Sequence, residues 1–369
     1  MKLNITEQML FALLRSALHG THADATVFAG ITPEAWEECY RLSVRQGVMA
    51  LAWDGLITLP AELQPSKSLK LNWWLAVERC EKRYRYYCRV ISDLSTFYAT
   101  HGITAVQLKG VGFADNYPIP SHREGGDIDI FTYSADSSDL SDREANSLVD
   151  KLMREQGIEV DFSHSQKHSM FYYKGIPIEN HKKFLNTEIY RTAVSMDALL
   201  RKLLRPRLTV LDGKYEVLTP SPDFNTVFLA FHSAQHYALG FAMHHLCDWA
   251  CLLKRQGLKI PEGVTDERFL DMIYALTHLC NRYLGTDVLV MERGEELVEN
   301  LLKEMLHPTY SINVPVTGKW GILVYKLKRM LHIHRLCDSV MRVSLVKWLW
   351  ISVIQHVRFP QSIFRRSVS

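Results

Sequence analysis

An α+β fold, with a small mixed β-sheet between an N-terminal and a C-terminal helical region, is what the sequence predicts. Three observations carry that reading. Apolar residues recur at helical spacing through the first hundred positions; short apolar runs alternate with glycine and proline between Ile103 and His181; and the helical period returns after about Thr187. The expected divisions are a helical region over residues 1–101, a sheet core over 102–186, and a helical region with a basic tail over 187–369. With 369 residues, 47% of them hydrophobic, the chain can bury a substantial core.

Composition narrows the class further. Charged residues make up 22% and leave a net charge of +3, too slight an excess to imply a nucleic-acid partner by itself. Seven scattered cysteines without a CxxC pair fit reduced thiols and a cytoplasmic location. The opening MKLNITEQMLFALLRSALHG reads as an amphipathic helix rather than a secretory signal, and no apolar run reaches the roughly 18 residues of a membrane span.

The elements follow in order. Thr32, Pro33 and Glu34 supply a capping hydroxyl, a first-turn proline and an acid at the positive end of a helix expected to run to about Gly55. A second long helix is expected from about Ser68 to Thr100, stopping at Gly102, with Trp73, Trp74, Tyr84 and Tyr87 as packing residues. ITAVQL, from Ile103, is a strand, and KGVGFADNY turns into a brief helix that Pro118 ends. The strand holding Asp127 and Asp129 comes next, then a helix from about Asp142 to Gln156 closed by Gly157. IEVDF, SMFYYK and IPIENH are three more strands, the last two joined by a tight turn at Lys174 and Gly175. Ser221 caps a helix that continues, with a break at Gly240, into MHHLCDWACLLKRQG.

Asp127 and Asp129 pose the central question, because they sit in an apolar run that favours a buried strand, where unpaired carboxylates are costly. Side chains alternate along a strand, so the two acids share one face, their Cα atoms roughly 6.5 Å apart, while Ile128 and Ile130 face the core. The carboxylates are then expected at the exposed face or end of the strand. Two like charges so close need a cation between them, and hard oxygen donors suit Mg²⁺ or Mn²⁺. Glu179, on a strand able to lie beside the first, completes a trio that could hold two ions about 3.5 to 4 Å apart, the arrangement used for in-line phosphoryl transfer.

A strand, a glycine turn, a strand with two aspartates around an apolar residue and a later acidic strand together resemble the nucleotidyltransferase superfamily of DNA polymerase beta. More narrowly, LKG, YPIPSHREGGDIDIF and IPIENH resemble a bacterial group of uncharacterised nucleotidyltransferase-like proteins, over Gly102 to about His181. The resemblance implies that Asp127, Asp129 and Glu179 bind metal, with Glu179 helping to activate an attacking hydroxyl. It implies that Lys109 and Arg123 meet the triphosphate, that Gly110 lets the backbone approach phosphate and Gly126 lies on the nucleotide side, and that His181 orients Glu179 or touches substrate. The activity implied is transfer of a nucleotidyl group from an NTP to an acceptor hydroxyl, with Mg²⁺ or Mn²⁺ as cofactor. The acceptor is a small molecule, a protein or an RNA. One departure stands out: Gly110 is followed by Val111, where the superfamily has Ser or Gly, so a non-catalytic nucleotide-binding module stays open as an alternative.

Plainer readings accompany these. The aspartates could mark a solvated strand edge, Lys109 a surface position, Arg123 a partner of Glu124, and His181 a packed strand residue. A second constellation, His232, His236, His244, His245 and Asp248, puts i, i+4 pairs on helix faces and gives the second alternative, a His-based metal phosphohydrolase. From Lys319 onward, Lys326, Lys328, Arg329, Arg335, Arg342, Lys347, Arg358, Arg365 and Arg366 face the single acid Asp338. Those helices could contact RNA or a membrane surface. The simpler reading packs them on the core with their charges in water, and expects a loosely ordered tail from Arg358.

Overall fold

Asn4 accepts a hydrogen bond from the Glu7 N–H while the Glu7 carboxylate accepts from Asn4, and this reciprocal cap starts α1, Ile5–His19. The structure, a computed structural model, describes residues 1–134, 142–162, 167–237, 239–311 and 313–358. Thr32 caps α2 (Pro33–Arg45) as expected, but the helix does not reach Gly55. Gly47 adopts a left-handed φ of 64°, which a right-handed helix cannot absorb, and a separate α3 (Met49–Leu56) follows. Ser66 caps α4 (Lys67–Ala99), in which Trp73, Tyr84 and Tyr87 are buried and Trp74 is exposed.

The period then changes, and five expected strands appear: β1 (Ile103–Gln107), β2 (Ile128–Ser134), β3 (Val160–Asp161), β4 (His168–Tyr173) and β5 (Ile176–His181), with α5 (Asp142–Glu155) before β3. Lys174 and Gly175 join β4 to β5 with φ of 50° and 77°, a hairpin turn whose twist matches the strands.

After α6 (Arg191–Leu203), β6 (Arg207–Leu211) and β7 (Tyr215–Thr219) depart from the all-helical expectation for the region beyond Thr187. LTVL and YEVLT alternate in burial around Asp212 and Gly213, both left-handed, and the hairpin extends the sheet to the order β3-β4-β5-β2-β1-β7-β6. β2 lies centrally, antiparallel to β1 and parallel to β5.

One face of the sheet buries Ile128, Ile130, Phe171 and Ile178 against Val90, Ile91 and Leu94 of α4 and Val149 of α5. On the other face, Phe131 packs at a tilt against Phe184, which meets Phe224 of α7 (Pro222–His236) edge-on. That contact joins the sheet to the helical core formed by α7, α8 (Met243–Gln256), α9 (Glu267–Leu279) and α10 (Glu295–Leu306). α11 (Lys319–Val340) adds Ile333, Leu336, Cys337 and Val340 to the same core, and α12 (Leu345–Arg358) follows. The loosely ordered tail expected beyond Arg358 lies outside the described residues. Among the described residues no helix is long and apolar enough to cross a membrane.

Candidate active site

Register places the acids. β2 and β5 run parallel with Asp129 opposite Glu179, so odd-numbered side chains of both strands leave the sheet on the same face. Oxygens of Asp127, Asp129 and Glu179 lie within 4.8 Å of one another, the convergence the sequence predicts. Their exposure differs from expectation: Asp127 is partly open, but Asp129 is wholly buried rather than at an exposed rim.

Two basic side chains explain how Asp129 tolerates burial. The Lys109 ammonium, on the turn after β1, stands 2.8 Å from Asp129 Oδ2 and 3.7 Å from Asp127 Oδ2. His181, two residues beyond Glu179, sets Nε2 2.9 Å from Asp129 Oδ1 and 3.3 Å from Glu179 Oε2, with Nδ1 3.2 Å from the Lys183 carbonyl. Burial alone would raise the Asp129 carboxyl, but Lys109 and His181 together hold it well below the usual carboxylate range. The charge of Asp129 pushes Asp127 up, helped by burial and opposed by Lys109. Glu179 is lowered: burial acts against its charge, but the hydrogen bond with His181 prevails. Burial opposes the charge of Lys109 as well, yet the three acids around it raise its pKa and keep the ammonium protonated.

The structure brings in residues that sequence reading missed, among them Lys167, whose charge interacts with all three acids, and His168. His168, opposite His181 on β4, approaches Glu179 Oε2 at 3.3 Å, and burial drops its pKa to about 4. Its signal, a histidine two residues short of an apolar strand's centre, is weak without the pairing register.

Arg123, expected at the triphosphate, is held in the ligand-free chain by Asp248. Its Nη2 and Nε donate to both oxygens of Asp248 on α8, at 2.7 and 3.1 Å, and its Nη1 donates to the Glu124 carbonyl. Tyr117 adds a 2.6 Å hydroxyl bond to Asp248. The neighbouring residues are tied down as well. His122 lies 2.8 Å from Asp54 and 3.1 Å from Glu81, and the Glu124 carboxylate accepts from the Ala50 N–H. This loop is therefore a fixed frame behind the acids, built of charges facing α3, α4 and α8.

Gly110 needs its glycine, with φ of 63°, whereas around Gly126 an added Cβ would meet open space, so its backbone is approachable. Gly112 is dictated by packing: a Cβ there would meet the Gln107 side chain at 2.4 Å.

The histidine constellation divides. His232, His236 and His245 gather with ring separations of 4.5 to 5.1 Å, while Asp248 turns away to Arg123 and Tyr117 instead of pairing with His244. His245 Nδ1 accepts the Ala242 N–H at 3.1 Å, so a neutral ring there carries its proton on Nε2. Ring nitrogens of His232, His236 and His245 nonetheless lie within 4.8 Å of one another, so these three could hold a metal ion, and the second alternative keeps that support.

Comparison with known proteins adds a family. Residues 32–285 match the family model described as "Uncharacterised nucleotidyltransferase". Among solved structures the chain is similar to an antigenic nucleotidyltransferase-like protein from Paracoccidioides brasiliensis, at 13% identity over 59% of this chain and 93% of that one. Its TM-score of 0.35 is too low for the likeness to carry weight. No curated protein matches.

Proposed function

We propose, starting from a chain that belongs to the uncharacterised nucleotidyltransferase family, that it moves a nucleotidyl group from a nucleoside triphosphate to an acceptor hydroxyl. The hydroxyl oxygen bonds to the α-phosphorus, the bond from that phosphorus to the bridging oxygen breaks, the hydroxyl proton leaves, and pyrophosphate is released. The observation that carries this reading is the meeting of Asp127, Asp129 and Glu179 across two adjacent parallel strands.

The residues fit a divalent ion. Three hard oxygen donors converge, and Asp129 Oδ2, though ion-paired with Lys109, is buried without a well-directed hydrogen bond. Asp127, Asp129 and Glu179 would hold Mg²⁺ or Mn²⁺, which would supply charge stabilisation for the transferring group and activation of the hydroxyl. The chain's own side chains do the rest. His181 fixes Asp129 and Glu179 relative to one another, and the ionised Glu179 accepts the acceptor's proton. Lys109 holds a permanent positive charge beside the acids, where it opposes the negative charge of the triphosphate. Gly110 and the open backbone at Gly126 allow phosphate oxygens to approach. Arg123 acts as a brace rather than as a phosphate ligand.

The test is incubation of the purified protein with Mg²⁺ or Mn²⁺, each labelled NTP and a panel of small-molecule, protein and RNA acceptors. Label transfer with pyrophosphate release, lost in Asp129→Asn, supports the proposal. Transfer that survives Asp127→Ala combined with Asp129→Ala overturns it. A second reading, nucleotide binding without turnover, is favoured by Val111, which is buried in the turn where the superfamily places Ser or Gly. It predicts calorimetric binding of an NTP and no pyrophosphate.

A further inference from the structure

The apolar residues of the C-terminal helices do not all face the core. Along α11, Ile322, Ile333, Leu336, Cys337 and Val340 are buried, but Trp320 is 80% exposed, and Leu323, Val324, Leu327 and Leu331 lie open beside it. At 100° per residue, these five exposed side chains fall within an arc of about 100° on the helix. Lys319 and Lys326 run along one border of that arc, and Lys328 and Arg335 along the other. α12 repeats the pattern. Leu345, Val346, Leu349, Trp350 and Val353 are exposed on one face bordered by Lys347, while Trp348 on the opposite side packs against the core.

The platform is anchored to the body. Arg268 pairs with Asp338 and Arg342 with Asp266, and Arg191 donates its backbone N–H to the Arg342 carbonyl. The exposed stripes are thus held outward by a fixed base.

We propose that α11 and α12 form a docking surface for an anionic lipid bilayer, on which the two helices lie in the interfacial plane. Charge complementarity decides between occupants. From Lys319 to Arg358 the only acid is Asp338, already paired with Arg268, so the surface is basic throughout. A second copy of the same face would set cation against cation. RNA would satisfy the lysines but leave ten large apolar side chains in water. An anionic bilayer satisfies both: Trp and Leu enter the headgroup boundary, while lysine and arginine at the borders reach lipid phosphate. This inference stands apart from the catalytic reading, since none of these residues touches the acids.

Flotation of the full chain with vesicles tests it, comparing pure phosphatidylcholine with a mixture containing about one third phosphatidylglycerol. Binding to the anionic vesicles only, weakened by salt and reduced roughly tenfold by Trp320→Ala with Leu327→Ala, is the result expected. Lys328→Gln with Arg335→Gln lowers it by a comparable factor. These residues are exposed, so circular dichroism and melting of the variants stay unchanged. No flotation, equal binding to both vesicle types, or binding indifferent to both double variants overturns the proposal. So does RNA retention, or a dimer in sedimentation velocity that Trp320→Ala dissolves, in place of lipid binding.

Discussion

Arg123→Ala separates a brace from a phosphate ligand. The Arg123 and Asp248 side chains are 9% and 4% exposed and meet at 2.7 Å. At that distance an effective dielectric of about 20 gives a gross attraction of roughly 6 kcal/mol, most of it offset by taking both charges out of water. Removing one partner is another matter, because Asp248 then remains buried with, among the described residues, the Tyr117 hydroxyl as its remaining side-chain hydrogen-bond donor. A stability loss of about 3 to 5 kcal/mol follows. Asp248→Asn restores a neutral partner, so the double variant Arg123→Ala/Asp248→Asn recovers about 2 kcal/mol relative to additivity. Urea unfolding of the four proteins, followed by tryptophan fluorescence, completes the cycle. If Arg123→Ala costs less than about 1 kcal/mol and its main effect is a raised KM for the NTP, the brace is refuted and the guanidinium belongs to the triphosphate.

Three other outcomes follow from the geometry. Asp129→Asn reduces label transfer on the order of 10³-fold while far-ultraviolet circular dichroism keeps its native shape. Gly110→Ala, at a φ of 63°, destabilises by about 1 to 2 kcal/mol in thermal melts and lowers transfer, whereas Gly126→Ala, with open space around it, leaves stability unchanged. His236 has its pKa pushed down to about 4 by burial, so the unfolded chain binds more protons than the folded one below about pH 6.5. Stability is therefore present above that pH and falls as acid is added, by roughly 2 kcal/mol from this group between pH 7 and 5. His236→Gln flattens that part of the urea-midpoint profile; an unchanged profile refutes it.

What could be read from the chain was local or periodic. Alternation along a strand put Asp127 and Asp129 on one face, and the isoleucines between and after them identified which face was core. Glu179 and His181 entered by the same rule on β5. Partners far apart in sequence carried no such signal: Arg123 and Asp248 are 125 residues apart, and only packing of α8 against the loop introduces them. Nor could burial of Asp129 be anticipated, because it depends on Lys109 folding back from the end of β1. The hairpin of β6 and β7 is legible in the alternation of its residues. LTVL-DGK-YEVL alternates around an Asp-Gly turn, but the strands are short and the helical period of the flanking segments dominates the region. The early end of α2 turned on one glycine whose left-handed backbone composition alone does not announce.

Lys109 answers part of the acids' need for a counter-charge before any ion is met. Its ammonium offsets some of the repulsion among three carboxylates and leaves the centre still net negative, ready to draw in a cation. Folding and loading stay linked through the affinity of the folded acids for the ion. Where the three acids hold an ion, a chelator removes its mass-action stabilisation, so the melting temperature falls while the chain itself stays folded.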